Sequence, residues 1–327
     1  MSKKTLSIIV PNYNYSKYLR QSLGSILNQR RKPDEIIIID DGSTDNSVEI
    51  IEDLIKDMPN AILIKNSSNK GVIYSMNEGL KIASKDYVCF AAVDDLLLTD
   101  FVYEQMQFVE KHPDICLCCS LPAFFRSSKD YWVDDFNINV KKIIDPDELI
   151  KIIKKNNFWI ATHTAIIKTQ EMKKIHFDNI LKHHCDWYTV LNIVFKNKMG
   201  FIPKPLSFMR VHDLAYSRKS KKHKEMRQIY SHLLNKIDGE DGQFKKRLIM
   251  SRVLSGLGGS LTVVLLFRLK YWKYLPSVIY GKILNFAGRV KRKFLKIFQG
   301  KEIKFNYNEI SKFLEKNKDI NRKKDFN

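Results

Sequence analysis

The sequence predicts an α/β fold: a mostly parallel sheet flanked by helices, followed by a basic helical extension. Three observations predict it. Short β-branched runs alternate with segments of helical periodicity through the first hundred residues, the pattern of successive βα units. The 327 residues are 44% apolar and 28% charged, which supports a sizeable core and excludes wholesale disorder. The net charge of +20 sits almost wholly in the last third: 29 Lys/Arg face 10 Asp/Glu from Arg210 onward, against 27 and 26 before it.

Residues 6–10 form a short apolar run ended by Pro11 and two asparagines, a strand then a loop. Leu19, Leu23, Ile26 and Leu27 space a helix over 18–29. Glu35–Asp40 reads as a buried strand, stopping at a turn-rich Asp-Gly-Ser-Thr-Asp run. Ser43 or Thr44 is expected to cap the next helix, over 47–56. Ala61–Lys65 is a third strand. Ile73, Met76, Leu80 and Ala83 share one face of a helix over 71–84, and residues 86–92 form a fourth strand ending at Asp94 and Asp95.

Ligands bind such sheets at the carboxyl ends of the strands. No early βα turn here carries Gly-x-Gly-x-x-Gly, so a dinucleotide cradle is not expected. Instead the strand ends offer Asn12 and Asn14, Asp40 and Asp41, and Asp94 and Asp95. Paired carboxylates repel bare phosphate and each other. A hard divalent cation relieves both problems, held by one or two carboxylates plus a diphosphate.

Five cysteines make no disulfide framework. Cys116, Cys118 and Cys119 read as buried thiols on a strand, and a reducing, cytoplasmic location is expected. The N-terminal apolar run is too short for a secretory signal. The uncharged stretch 253–267 falls short of the ~20 residues of a spanning helix.

Four segments together resemble the family 2 glycosyltransferases: Ser7-Ile-Ile-Val-Pro-Asn-Tyr-Asn14, Ile39-Asp-Asp-Gly-Ser-Thr-Asp45, Asn69-Lys-Gly71 with Asn77, and Phe90-Ala-Ala-Val-Asp-Asp95. The resemblance implies a GT-A fold and an inverting transfer from a nucleoside-diphosphate sugar. It implies that Pro11 and Tyr13 line the nucleoside pocket and that Asp41 meets the base, commonly uracil, with Asp40 nearby. Lys70 and Asn77 would lie along the donor, Asp94 near the ribose or metal, and Asp95 on a Mn²⁺ or Mg²⁺ ion. Three positions depart from the family pattern. Ala92 replaces the first carboxylate of the metal motif, Met76 replaces a basic residue, and Cys185 replaces a glutamate.

In the second half, His184-Cys-Asp-Trp-Tyr-Thr-Val-Leu-Asn192 resembles the segment that carries the family's base, which makes Asp186 that base. Trp187 and Tyr188 would then stand near the acceptor, or equally serve as core residues. Phe208-Met-Arg-Val-His-Asp-Leu-Ala-Tyr-Ser217 resembles the closing segment, with His212 completing the metal shell or touching the diphosphate. The expected acceptor is a glycan or lipid-linked hydroxyl in surface polysaccharide synthesis. The rival readings are a nucleotidyltransferase-like enzyme and a transferase that has lost catalysis.

Residues 1–218 are expected to form the catalytic domain, 219–315 a basic amphipathic helical region, and 316–327 a frayed polar tail. From Leu275, apolar residues recur through Val278, Ile279, Ile283 and Phe286 on one helical face, with Lys282 and Arg289 among the basic residues of the other. Such a helix lies in an anionic membrane interface, here the inner face of the cell membrane. No nucleic-acid reading motif accompanies the charge, so nucleic acid is not expected as a partner.

Overall fold

A computed structural model describes residues 3–156, 158–212, 223–298 and 312–313. Ser217 of the closing segment and the tail 316–327 lie outside the described residues. The chain opens with β1 (Leu6–Asn12), α1 (Ser16–Leu27), β2 (Glu35–Asp40), α2 (Ser47–Ile55), β3 (Ala61–Lys65), α3 (Val72–Ile82) and β4 (Tyr87–Phe90). This is the expected alternation, with boundaries moved by one to two residues. It continues through β5 (Leu96–Leu97), α4 (Phe101–Lys111), β6 (Leu117–Ser127), β7 (Asp130–Val133), β8 (Lys142–Ile144) and α5 (Pro146–Asn156). Then follow β9 (Ala165–Lys168), α6 (Thr169–Ile175), α7 (Cys185–Val194) and β10 (Met199–Arg210).

The strands join one sheet in the order β3-β2-β1-β4-β9-β6-β10-β5, with β7 on β6 and β8 on β10. β1 to β4 are parallel; β9 runs antiparallel to both β4 and β6. β1 pairs with β2 on one side and β4 on the other, so the strand order switches there and leaves a crevice beyond their carboxyl ends.

Alternation along the strands feeds two cores. Ile8, Val10, Ile36 and Ile38 pack beneath α1, α2 and α4, while Ile9, Ile37, Ile39, Val88 and Phe90 face α3, α6 and α7. Each such side chain contributes roughly 1.5–3 kcal/mol by burial. α3 lies close on β1 because Gly79 faces Ile9; a Cβ there would sit 2.5 Å from the isoleucine side chain. Cys116, Cys118 and Cys119 are buried free thiols, as the sequence suggested.

The C-terminal helices are α8 (His223–Gly239), α9 (Gly242–Ser251), α10 (Gly259–Phe267) and α11 (Leu275–Phe298). Met226, Ile229, Leu233, Leu234 and Ile237 of α8 and Phe244 and Leu248 of α9 join the same core as Tyr188 and Phe195. The apolar stretch 253–267 divides into a 3-10 turn, Val253–Gly256, and α10. No helix among the described residues is long and apolar enough to cross a membrane.

Candidate active site

The crevice is bounded by three loops that carboxylates organise. Asp40, 1% exposed, accepts from Asn12 Nδ2 at 2.7 Å, Ser43 N at 2.9 Å and Ser43 Oγ at 2.7 Å. Ser43 is thereby tied to Asp40 and does not cap α2; Asp45 Oδ1 accepts the Ser47 N–H instead, at 3.0 Å. Asp41 is also buried. It accepts from Asn66 Nδ2 at 2.8 Å, Lys70 N at 3.0 Å and Gly71 N at 2.7 Å, so it holds the Asn69-Lys-Gly loop in place. Gly71 needs φ +94°, which glycine adopts freely. Asn14, at φ +55°, accepts from Thr44 N at 2.7 Å and so laces the end of β1 to this loop.

Pro11 and Tyr13 stand at the mouth of the crevice, and Tyr13 is 39% exposed. Lys70 extends an exposed ammonium to Tyr74 Oη at 3.3 Å. Asn77 is not brought to this group. Its amide donates to Phe177 O at 2.8 Å and accepts from Phe177 N at 3.0 Å, pinning the chain ahead of α7. Met76 packs against the core.

Asp94 and Asp95 occupy the turn between β4 and β5. Asp95 N donates to Ala92 O at 3.2 Å, so Ala92 closes the turn through its backbone. Asp95 is buried and its Oδ1 accepts the Arg210 N–H at 2.9 Å. Arg210 Nε donates to Asp94 O at 2.9 Å, and its guanidinium reaches Gln21 Oε1 at 2.7 Å and lies 4.6 Å from the Tyr18 ring. His212 Nε2 is 2.8 Å from Asp94 Oδ2, with the Tyr15 and Tyr18 rings alongside. Burial, then the neighbouring Asp94 carboxylate, hold the Asp95 carboxyl well above its usual range. Burial and the same carboxylates push the Tyr15 phenol up to about 12.

A cation shared with a ligand would relieve the crowding of these two carboxylates. Two adjacent carboxylates repel at Asp95, and His212 Nδ1 is buried without a partner among the described residues. Among the described residues no group of three or more His, Cys, Asp or Glu is placed to hold a metal ion by itself. A cation here would take its remaining ligands from substrate oxygens and water, as Mg²⁺ commonly does.

Asp186 lies in the first turn of α7. Its Oδ1 accepts the Trp187 N–H at 2.7 Å, and Thr162 Oγ1 donates to Oδ2 at 3.3 Å. Burial raises its carboxyl above the ordinary value, against the pull of these hydrogen bonds. Thr162 begins a 3-10 turn, Thr162–Thr164, that packs on β4, β6, β10 and α7 alike. The turn therefore connects β4, which leads into the Asp94–Asp95 turn, to the helix of Asp186. Cys185 is buried in the apolar core, where burial pushes its thiol up. Tyr188 is also buried, donating to Glu240, and Trp187 packs on the core.

Arg210 and Gln21 were not singled out from the sequence. The available signal was the Arg-x-His spacing: residues two apart on an extended segment share a face, so Arg210 and His212 reach one turn together.

Carboxylates gathered at the ends of the parallel strands, with a separate carboxylate at the start of α7, are what a sugar-nucleotide transferase needs. Residues 7–175 match the model of glycosyl transferase family 2, and the chain belongs to that family. An uncharacterised glycosyltransferase of Haemophilus influenzae is 29% identical over 222 residues, covering 66% of this chain and 83% of the relative. The Escherichia coli protein WfaP, named a UDP-Glc:α-D-GlcNAc-diphosphoundecaprenol β-1,3-glucosyltransferase, is 34% identical over 191 residues, 58% of this chain and 70% of its own. The GT-A fold is shared with Staphylococcus aureus TarS, crystallised with UDP-GlcNAc (TM-score 0.62, 19% identity, 85% of this chain and 79% of that one). The mannosyltransferase PcManGT of Pyrobaculum calidifontis, with GDP-Man and Mn²⁺, also shares it (TM-score 0.56, 14% identity, 99% and 88%). The protein is a glycosyltransferase that uses a nucleoside-diphosphate sugar.

Proposed function

We propose that the protein transfers a sugar from a UDP-sugar, with inversion, to a hydroxyl of a glycan or lipid-linked acceptor in surface polysaccharide synthesis. It works as a peripheral protein on the inner face of the cell membrane. The observation that carries the chemistry is the pairing of two acidic features: Asp94–Asp95 beside Arg210, and Asp186 held by Thr162 on a turn that packs on β4, β10 and α7.

Asp186 takes the proton of the acceptor hydroxyl as that oxygen attacks the anomeric carbon. The nucleoside diphosphate leaves from the opposite face, so one displacement inverts configuration. A raised carboxyl pKa suits a base that works near neutrality. Asp95, with Asp94 and His212, would hold Mn²⁺ or Mg²⁺. When bound, the cation neutralises the charge of the departing diphosphate. Arg210 fixes the Asp95 carboxylate and the Asp94 backbone carbonyl before substrate arrives. Pro11 and Tyr13 wall the nucleoside, Asp40 and Asp41 shape its loops, and Lys70 offers an exposed ammonium to phosphate. UDP is favoured because TarS was crystallised with UDP-GlcNAc and WfaP is named for UDP-Glc. The membrane is favoured by the exposed apolar side chains of α10 and α11 and the basic residues among them.

Thermal unfolding with UDP, GDP, dTDP and CDP, each with and without Mn²⁺, tests the donor site. Saturating UDP with Mn²⁺ should raise Tm, since ligand at a hundredfold over Kd stabilises by about 2.7 kcal/mol. Asp95→Asn should remove the Mn²⁺-dependent part. A shift with GDP alone would reassign the base, and no shift with any nucleotide would sink the assignment of this crevice.

A further inference from the structure

We infer that Trp159, backed by Phe124 and Trp132, is a stacking platform for a pyranose ring of the acceptor, with Asp134 reading a hydroxyl at its edge. This deepens the transferase reading above and rests on it.

Phe124 and Trp132 are cross-strand partners on β6 and β7, their rings stacked at 5.2 Å and 18°. Trp159 stacks on Phe124 at 6.2 Å and 26°. His163 meets Phe124 edge-on at 6.4 Å, and burial pushes its imidazole down to about 4, so it stays neutral here. The three stacked rings continue one surface beside the turn that carries Thr162. Packing explains Phe124, which is 8% exposed, but not Trp159, which is 41% exposed. Large aromatic side chains are on average well buried, so a Trp left this open at an active-site edge has surface to offer.

Its polar edge is arranged as well. Trp159 Nε1 donates to Asp134 Oδ2 at 3.2 Å. The other carboxyl oxygen of Asp134 has no protein donor among the described residues. A ring face beside a carboxylate oxygen matches a pyranose, whose C–H bonds present partial positive charge to the aromatic face and whose hydroxyls donate at the rim.

Placement fits the acceptor rather than the donor. Successive strand residues point to opposite faces. Phe125, next to Phe124, lies under the Arg210 guanidinium at 4.4 Å, on the side of Asp94 and Asp95. Phe124 therefore faces the other side. There Thr162, three residues after Trp159, donates to Asp186. Three residues span at most about 11 Å of chain, so the platform lies within a short reach of the base. Of Trp187 and Tyr188, which the sequence offered for this role, Tyr188 is buried in the core and Trp187 packs partly buried against it.

Saturation-transfer NMR with methyl β-glucopyranoside, methyl α-galactopyranoside and the methyl glycoside of N-acetylglucosamine tests the platform. UDP-dependent Tm shifts are recorded on the same samples. Saturation should pass to the ring-face protons of at least one pyranoside. Trp159→Ala should weaken that binding about tenfold, the scale of losing one stacked ring. Trp159→Phe should restore most of it, and Asp134→Asn should weaken it less. The UDP shift should be unchanged throughout. Absence of saturation in the wild type, or equal binding by Trp159→Ala, would overturn the inference. Trp159-dependent saturation in a protein indifferent to UDP would support the platform while sinking the donor reading, so the two failures are separable.

Discussion

At Asp186 burial sets both a cost and a use. Its folded pKa lies above the unfolded value, so the folded chain binds the proton more tightly than the unfolded chain. Whatever stability this lends is present in acid and is lost as pH rises through the raised pKa. At neutral pH the ionised group is a mild liability, and that ionised form is the base. Asp186→Asn should therefore lower kcat by roughly 100- to 10,000-fold, the range of general-base catalysis. It should leave UDP binding intact and make the protein no less stable at pH 7. In the wild type, the acid limb of the kcat/KM profile should lie above the usual carboxylate range, falling as pH drops and Asp186 takes its proton. Steady-state profiles against a thermal scan decide it: equal losses of activity and stability in the variant would make Asp186 structural. Asp41 shows the limit of reading single residues. The resemblance offered it as the base contact, yet both its oxygens already hold the Asn69-Lys-Gly loop. No spacing in the sequence reveals that a carboxylate is committed to backbone N–H groups thirty residues away.

Elements were legible where periodicity was strong. The first four strands and three helices follow from runs such as Glu-Ile-Ile-Ile-Ile-Asp, whose four isoleucines are buried. β5, β7 and β8 are two to four residues long, too short for period-2 alternation to register. β5 exists because β10 pairs with it, and that long-range pairing places Asp95 against Arg210. The contact between α8 and the chain before α7 was equally invisible. Asp178 lies 2.8 Å from His232 Nε2 and accepts from Lys236 Nζ at 2.7 Å, both on α8, and caps the following turn through Ile180 N at 2.9 Å. Burial would raise its carboxyl, but the hydrogen bonds from Lys236, His232 and Ile180 outweigh it and bring it down to about 2. A depressed carboxylate stabilises the fold above the ordinary aspartate range and loses that contribution as pH falls towards about 2. Asp178→Asn should cost roughly 1 kcal/mol at pH 7 after solvent screening. Amide exchange should accelerate along α8 first. The Tm gap between variant and wild type should narrow as pH is lowered below about 4, the ordinary aspartate value; a gap that widened in acid would refute the coupling.

Over the whole molecule, charge and apolar surface are segregated in the same direction. The first 209 residues are nearly neutral, whereas the remainder carries the excess of Lys/Arg. On that basic part, α10, α11 and the turn between them expose Leu266, Phe267, Leu269, Trp272, Ile283 and Phe286, with Phe267 at 83% and Leu269 at 73%. Arg268, Lys270, Lys273 and Lys282 lie among them. The sequence placed Ile283 and Phe286 on one stripe with Leu275 and Val278, and Trp272 just upstream, but did not show its depth. Val278 is buried and Leu275 packs on the core, so α11 is anchored at its start and presents Ile279, Ile283 and Phe286. A truncation is therefore the wrong probe, because α8 and α9 belong to the core shared with α7. Exposed substitutions separate surface from fold. The full chain should cosediment with vesicles containing anionic lipid and be released as salt rises, since each Lys or Arg near such a surface contributes about 1 kcal/mol that screening removes. Phe267→Ser with Trp272→Ala and Ile283→Ser should abolish binding to those vesicles while Tm and UDP-dependent stabilisation stay at wild-type values. Binding that survives the triple change but vanishes in salt would reduce the interaction to charge alone. Binding that ignores both would remove this face as the membrane contact.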